Sequence, residues 1–90
     1  MKQLLLVGFI VSLLILTACS TGEELIPFAE CLTENGAKMY GTYWCSHCIS
    51  QKKGFGSAWD SINYIECSLP GGKGQTAICE RAGIEGYPTW

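Results

Sequence analysis

Apolar residues fall along this chain in one long block followed by several short ones. From Leu4 to Ala18 (LLLVGFIVSLLILTA) no residue is charged. The run is shorter than the roughly 18–20 residues a helix needs to cross a bilayer and fits the apolar centre of a secretory signal. Downstream, polar residues interleave. Pro27 suits the first turn of a helix, where its missing N–H costs nothing. Phe28, Ala29, Cys31 and Leu32 continue that helix to Asn35-Gly36, a left-handed stop. Ala37–Tyr43 (AKMYGTY) is rich in aromatic and β-compatible residues and reads as a strand. The segment CSHCISQKK that begins at Cys45 is a polar helix start with Ile49 as its apolar contact, weakened further on by Gly54 and Gly56. Ile62–Cys67 (INYIEC) alternates between turn residues and predicts a second strand. Thr76 caps a short helix through Ile78 and Arg81 that ends at Gly83. Helix, strand, helix, strand, helix predicts an α/β fold around a parallel βαβ unit with a right-handed crossover.

The end of the apolar run changes the picture of where the chain works. Leu16-Thr17-Ala18-Cys19 resembles the lipobox of bacterial lipoproteins, in which the cysteine is lipidated and becomes the new N-terminus. The resemblance implies a signal peptide at 1–18, a lipid-anchored tether at 19–26 and a folded domain at 27–90. Each buried methylene of an acyl chain adds about 0.8 kcal/mol, so a multiply acylated Cys19 would hold the protein firmly to a membrane of the bacterial envelope, outside the cytoplasm. A short uncleaved anchor is the alternative. Beyond Lys2 the basic residues are Lys38, Lys52, Lys53, Lys73 and Arg81, set against eight acidic residues. With no basic stripe, nucleic acid and charged lipid surfaces are excluded as partners bound through charge.

Six cysteines in so short a chain is dense, and an exported location makes disulfides the expectation. With Cys19 given to lipid, Cys45 and Cys48 form one natural pair. Cys67 and Cys79 form another, because they flank the flexible run SLPGGKG. A bridge there closes a short loop and stabilises by about 3 kcal/mol on the chain-entropy account. Cys31 is left over and reads as a small buried apolar residue.

The chemistry concentrates in Tyr43-Trp44-Cys45-Ser46-His47-Cys48. Cys45 falls where a strand gives way to a helix, so the free N–H groups and positive end of the helix favour a thiolate. Cys48 lies one turn further, within bonding reach. A protonated His47 would stabilise the same anion and make the disulfide a stronger oxidant, while Trp44 would cover one side of the pair. A structural disulfide is a second reading. Zinc on Cys45, Cys48, Cys67 and Cys79 is a third, disfavoured by the wide spacing of the second pair. Covalent haem attachment requires a histidine where Ile49 stands. Gly71-Gly72-Lys73-Gly74-Gln75-Thr76 lacks the ending and spacing of a phosphate loop, so nucleotide binding is excluded.

Trp44-Cys45-Ser46-His47-Cys48, followed far downstream by Tyr87-Pro88-Thr89, resembles the thioredoxin superfamily. The resemblance implies that Cys45 attacks, Cys48 resolves, and Pro88 is a cis-proline facing the pair with Tyr87 and Thr89 beside it. The run from Lys38 to Cys48 with Gln51-Lys52, the segment Tyr64-Ile65-Glu66-Cys67, and the segment from Ala82 to Trp90 are similar to a narrower group. This is the thioredoxin-like domain associated with bacterial and plant vitamin K epoxide reductase homologues. That group carries a second cysteine pair like Cys67 and Cys79. The buried acid that ordinary thioredoxins place six positions before the first cysteine is here Met39, which leaves proton transfer to water or His47. The family also continues past the proline loop with a β-hairpin and a helix, so the resemblance implies an incomplete thioredoxin-like domain from a longer reading frame.

The expected function is thiol–disulfide exchange with exported proteins. A vitamin K epoxide reductase-like or other quinone-linked membrane oxidoreductase is the expected electron partner, and no cofactor or metal is expected. The competing reading is a disulfide-stapled lipoprotein that binds a partner without exchanging thiols. Metal delivery through Cys45, Cys48 and His47 is a third.

Overall fold

The computed structural model describes residues 22–90. The expected signal peptide and the lipidation site at Cys19 lie outside the described residues. The described chain is a small mixed α/β structure. Helix α1 (Ile26–Glu34) leads to strand β1 (Met39–Gly41), helix α2 (Ser46–Phe55), strand β2 (Tyr64–Glu66) and the short helix α3 (Ala77–Arg81). Both strands are much shorter than the apolar segments that contain them, because the ladder engages only the central residues. β1 and β2 pair in parallel, with Met39 opposite Tyr64 and Gly41 opposite Glu66. On the other edge of β1, Tyr40 exchanges two backbone bonds with Thr89, at 2.7 and 2.9 Å, in an antiparallel bridge. β1 is therefore flanked on both sides at its centre, by β2 and by the segment after Pro88.

Local chemistry explains where the helices begin and end. Pro27 stands in the first turn of α1, where no N–H is required. Asn35 closes α1 with its side chain on the Cys31 carbonyl at 2.8 Å. α2 runs through Gly54 and stops at Gly56, whose φ of 55° suits a residue with no Cβ. Thr76 holds the cap position of α3 without capping it; its hydroxyl donates instead to the Glu66 carbonyl at 3.4 Å, tying α3 to β2. Glu23–Leu25, expected within a tether, forms a turn of 3-10 helix ahead of α1 and packs against residues 56–61.

Among the described residues, few large side chains are fully buried. Met39 is the largest, and it packs with Cys45 and Cys48 under a partial cover of Trp59, Ile62, Tyr64 and Tyr87. Cys67 and Cys79 are joined by a disulfide and are both fully buried, so the bridge serves as core as well as crosslink. Aromatic rings fill a second region: Phe28 stacks on Phe55, which also contacts Trp59 and Trp90. Cys31 departs from expectation. It is an exposed free thiol on α1, because the buried face of that helix is taken by Ala29.

Candidate functional site

β1 ends at Gly41, and a turn through Thr42, Tyr43 and Trp44 delivers Cys45 to the N-cap of α2. Cys45 is extended there, with φ −76° and ψ 120°, which leaves the first N–H groups of the helix without carbonyl partners. Its sulfur fills that role and accepts from the Cys48 N–H at 3.4 Å. The cysteine pair is thus built into the cap itself. Cys45 is 9% exposed and Cys48 4%, so only the first presents a usable edge to solvent.

The two thiols are pushed in opposite directions. Hydrogen bonding from the Cys48 side chain holds Cys45 below the ordinary thiol value, helped by the backbone N–H groups of Cys48 and His47 and opposed by burial. Burial pushes Cys48 up, reinforced by its bond to Cys45 and by the negative charges of Cys45 and Glu66. The surroundings therefore favour the thiolate at Cys45 and the protonated thiol at Cys48. His47 enters this arrangement differently from its sequence reading. Its side chain is exposed, and its contribution to Cys45 is made by its main chain.

The proline loop meets the pair from across the fold. The Tyr87–Pro88 bond is cis, and the Cys45 sulfur lies 3.8 Å from the Tyr87 carbonyl oxygen. Thr89 holds this loop to β1 through its backbone, and its hydroxyl donates to the Gly86 carbonyl at 2.6 Å. Trp44 is 52% exposed; its ring meets Tyr87 edge-on at 6.0 Å, and its indole N–H donates to the Ser68 hydroxyl at 3.0 Å. The structure therefore brings together Trp44, Cys45, Cys48, Tyr87, Pro88 and Thr89. Among the described residues, no group of three or more His, Cys, Asp or Glu side chains is placed to hold a metal ion.

Several residues that support this site carried no motif. Gln75 donates to the Tyr87 hydroxyl at 2.8 Å and to the Ile84 carbonyl at 3.1 Å, bracing the proline loop from the segment ahead of α3. Ser68 orients Trp44. Both sit in the loop that the Cys67–Cys79 bridge closes, so the staple holds the walls of the site. Gly41 is required by close approach: a Cβ there would lie 2.9 Å from the Cys48 sulfur and 3.1 Å from the Tyr64 ring.

Comparison with known proteins finds a likeness to a redox enzyme. Over 75 residues the chain is 48% identical to the thiol-disulfide oxidoreductase LTO1 of Arabidopsis thaliana, a match that takes in 79% of this chain and 20% of that protein. The chain is similar to a redox enzyme over most of its length. It spans about one fifth of that relative. No family model matches it. Among the described residues no helix is long and apolar enough to cross a membrane.

Proposed function

We propose that this chain is a thioredoxin-like thiol–disulfide oxidoreductase domain that exchanges disulfides with exported proteins while tethered to a membrane through Cys19. The observation that carries the redox reading is the Cys45 sulfur. It caps α2, is held below the usual thiol range, and faces the carbonyl of a cis-proline loop. A structural disulfide requires none of these three features. The likeness to a plant thiol-disulfide oxidoreductase supports the same reading, and the parallel β1–α2–β2 unit is compatible with the fold it implies. The tether and the exported location rest on the apolar run and lipobox-like residues up to Cys19. A quinone-linked membrane oxidoreductase is the partner this reading favours for recycling the pair.

In the oxidising direction, a substrate thiolate attacks the Cys45 sulfur of the Cys45–Cys48 disulfide. The S–S electron pair leaves on Cys48, which takes up a proton, and a mixed disulfide joins substrate to Cys45. A second substrate thiolate then attacks the substrate sulfur of that bond. Cys45 departs as a thiolate, and its place on the helix mouth makes it a good leaving group. The substrate is oxidised by two electrons and the pair reduced by two. In the reverse direction Cys45 attacks first and Cys48 resolves. The cis-proline loop offers the Tyr87 carbonyl beside Cys45, where an extended substrate segment can lie.

The test is to trap the intermediate. Cys48→Ala, exposed to a peptide with an accessible disulfide, should accumulate a mixed disulfide at Cys45. Cys45→Ala should not do so at Cys48. Failure to trap anything at Cys45 would leave the stapled-scaffold reading in its place.

A further inference from the structure

Beside Cys48, lined by neither Cys45 nor residues 87–89, lies a cavity of about 210 Å³. Its walls include Thr42, Cys48, Lys52, Tyr64 and Glu66, with Trp59 along one side. Tyr64 and Glu66 share a face of β2 by the two-residue repeat of a strand. The Glu66 carboxylate is fixed at both oxygens. One accepts from the Tyr64 hydroxyl at 3.2 Å and the other from the Ser68 N–H at 3.1 Å. Burial and the neighbouring Glu66 charge push the Tyr64 phenol well above its ordinary range, so it remains a donor to that carboxylate. The Thr42 hydroxyl is buried and has no hydrogen-bond partner among the described residues. An unpartnered buried hydroxyl beside a carboxylate and a phenol is the polar lining that water occupies, and the volume far exceeds the roughly 10–15 Å³ one water requires. Gly41, opposite Glu66 in the ladder, keeps the space between the Cys48 sulfur and the Tyr64 ring free of a side chain.

The mechanism above leaves one proton without a defined carrier. Cys48 must lose it when it resolves a mixed disulfide and regain it when it leaves. We propose that Glu66 takes the Cys48 proton, through water held in this cavity, as Cys48 attacks the mixed disulfide on Cys45. The Cys48 sulfur forms a bond to the Cys45 sulfur, and the bond from Cys45 to the substrate sulfur breaks. The substrate leaves as a thiolate, and the proton passes from Cys48 through water to the Glu66 carboxylate. In the oxidising direction the same proton returns to Cys48. The titratable groups facing the cavity are Cys48 and Lys52 from α2, Tyr43 from the loop after β1, and Tyr64 and Glu66 from β2. Residues 56–61 contribute Trp59 to this wall, and α3 approaches Glu66 through Thr76, on its main-chain carbonyl. Among the described residues that line the cavity, Lys52 is the cation. The exposed His47 side chain is not needed for this step.

This proposal rests on the redox reading of the pair, and a two-phase assay separates the two. The full chain is used in detergent with Cys19→Ser and Cys31→Ser, which leaves Cys45 and Cys48 as the reacting thiols. It is mixed with an aromatic disulfide that releases a coloured thiolate. Attack by Cys45 gives a first, concentration-dependent release; resolution by Cys48 gives a second, concentration-independent one. Glu66→Gln keeps the shape and should leave the first phase within about threefold while slowing the second by about tenfold or more near neutral pH. A purely electrostatic role predicts the opposite sign, because removing a negative charge beside Cys48 favours its thiolate and speeds resolution. A second phase in Glu66→Gln as fast as the parent's, or faster, overturns the proposal. A missing first phase in the parent overturns the redox reading instead. Should Glu66→Gln fail to fold, the parent's own second phase decides. A protein-borne acceptor predicts a rise of less than about tenfold from about pH 6 to about pH 8, whereas proton loss to hydroxide alone predicts about 100-fold and sinks the role of Glu66.

Discussion

Replacing both Cys67 and Cys79 with alanine tests whether the site is held by the staple or merely accompanied by it. The bridge spans a sequence separation of 12 and lies wholly inside the structure. On the chain-entropy account, closing a loop of about this size stabilises the fold by about 3 kcal/mol. That is large for a domain this small, whose total stability is of the order of 5 kcal/mol. For a domain of about 60–100 residues each kcal/mol moves Tm by about 4–8 °C, so the double variant should melt about 12–24 °C lower. The effect should also reach the site, because the closed loop carries Ser68, which orients Trp44, and Gln75, which braces Tyr87. The assay is thermal and guanidinium unfolding of the full chain with the Cys45–Cys48 pair reduced, beside hydrogen exchange at residues 84–89. A Tm shift under about 4 °C with unchanged protection of the proline loop would show that the bridge does not hold the site, since less than about 1 kcal/mol could then be credited to it.

Three further outcomes follow from individual contacts. Gly41→Ala should cost about 1–3 kcal/mol in guanidinium unfolding, because its Cβ would lie 2.9 Å from the Cys48 sulfur against a packed neighbour; an unchanged midpoint would contradict the tight approach. Gln75→Leu should lose about 1–2 kcal/mol and raise exchange at residues 84–89, since the Tyr87 hydroxyl and Ile84 carbonyl lose their shared donor. The reduced protein should gain stability relative to the oxidised form as pH rises from the lowered Cys45 pKa toward 9.0, the ordinary thiol value, because there the unfolded chain still holds a proton that folded Cys45 has released. Above 9.0 the sign reverses, because folded Cys48 keeps a proton that the unfolded chain loses; denaturant midpoints of the two redox forms across this range check both limbs.

The parts legible in the sequence were those written in local pattern. Alternating and aromatic residues marked both strands, and turn chemistry marked the stop of α1 at Asn35-Gly36. A cysteine between a strand and a polar helix marked the cap at Cys45. The ladder used only three residues of each strand segment, a tertiary outcome that no propensity encodes. Hydrophobic character alone does not say which face of α1 is buried; Ala29 takes that face and leaves Cys31 exposed. His47 is next to the pair in sequence, but nothing in the sequence says that its side chain is exposed on the first turn of α2. Gln75 and Ser68 were invisible because their partners lie in distant segments. Glu66 was nearer to view: its two-residue spacing from Tyr64 placed both on one strand face, but which face meets Cys48 depends on the register of β2 against β1.

Thiol–disulfide exchange at this site requires the Cys45 sulfur to ionise easily at the mouth of α2, and the pH dependence of its alkylation, resolved from the other thiols by peptide mass spectrometry, measures this directly. Folded, reduced protein should show Cys45 reacting with an inflection clearly below 9.0, and the same residue in urea-unfolded chain should return to that value. Coincident folded and unfolded curves for Cys45 would show that the helix mouth does not stabilise its thiolate.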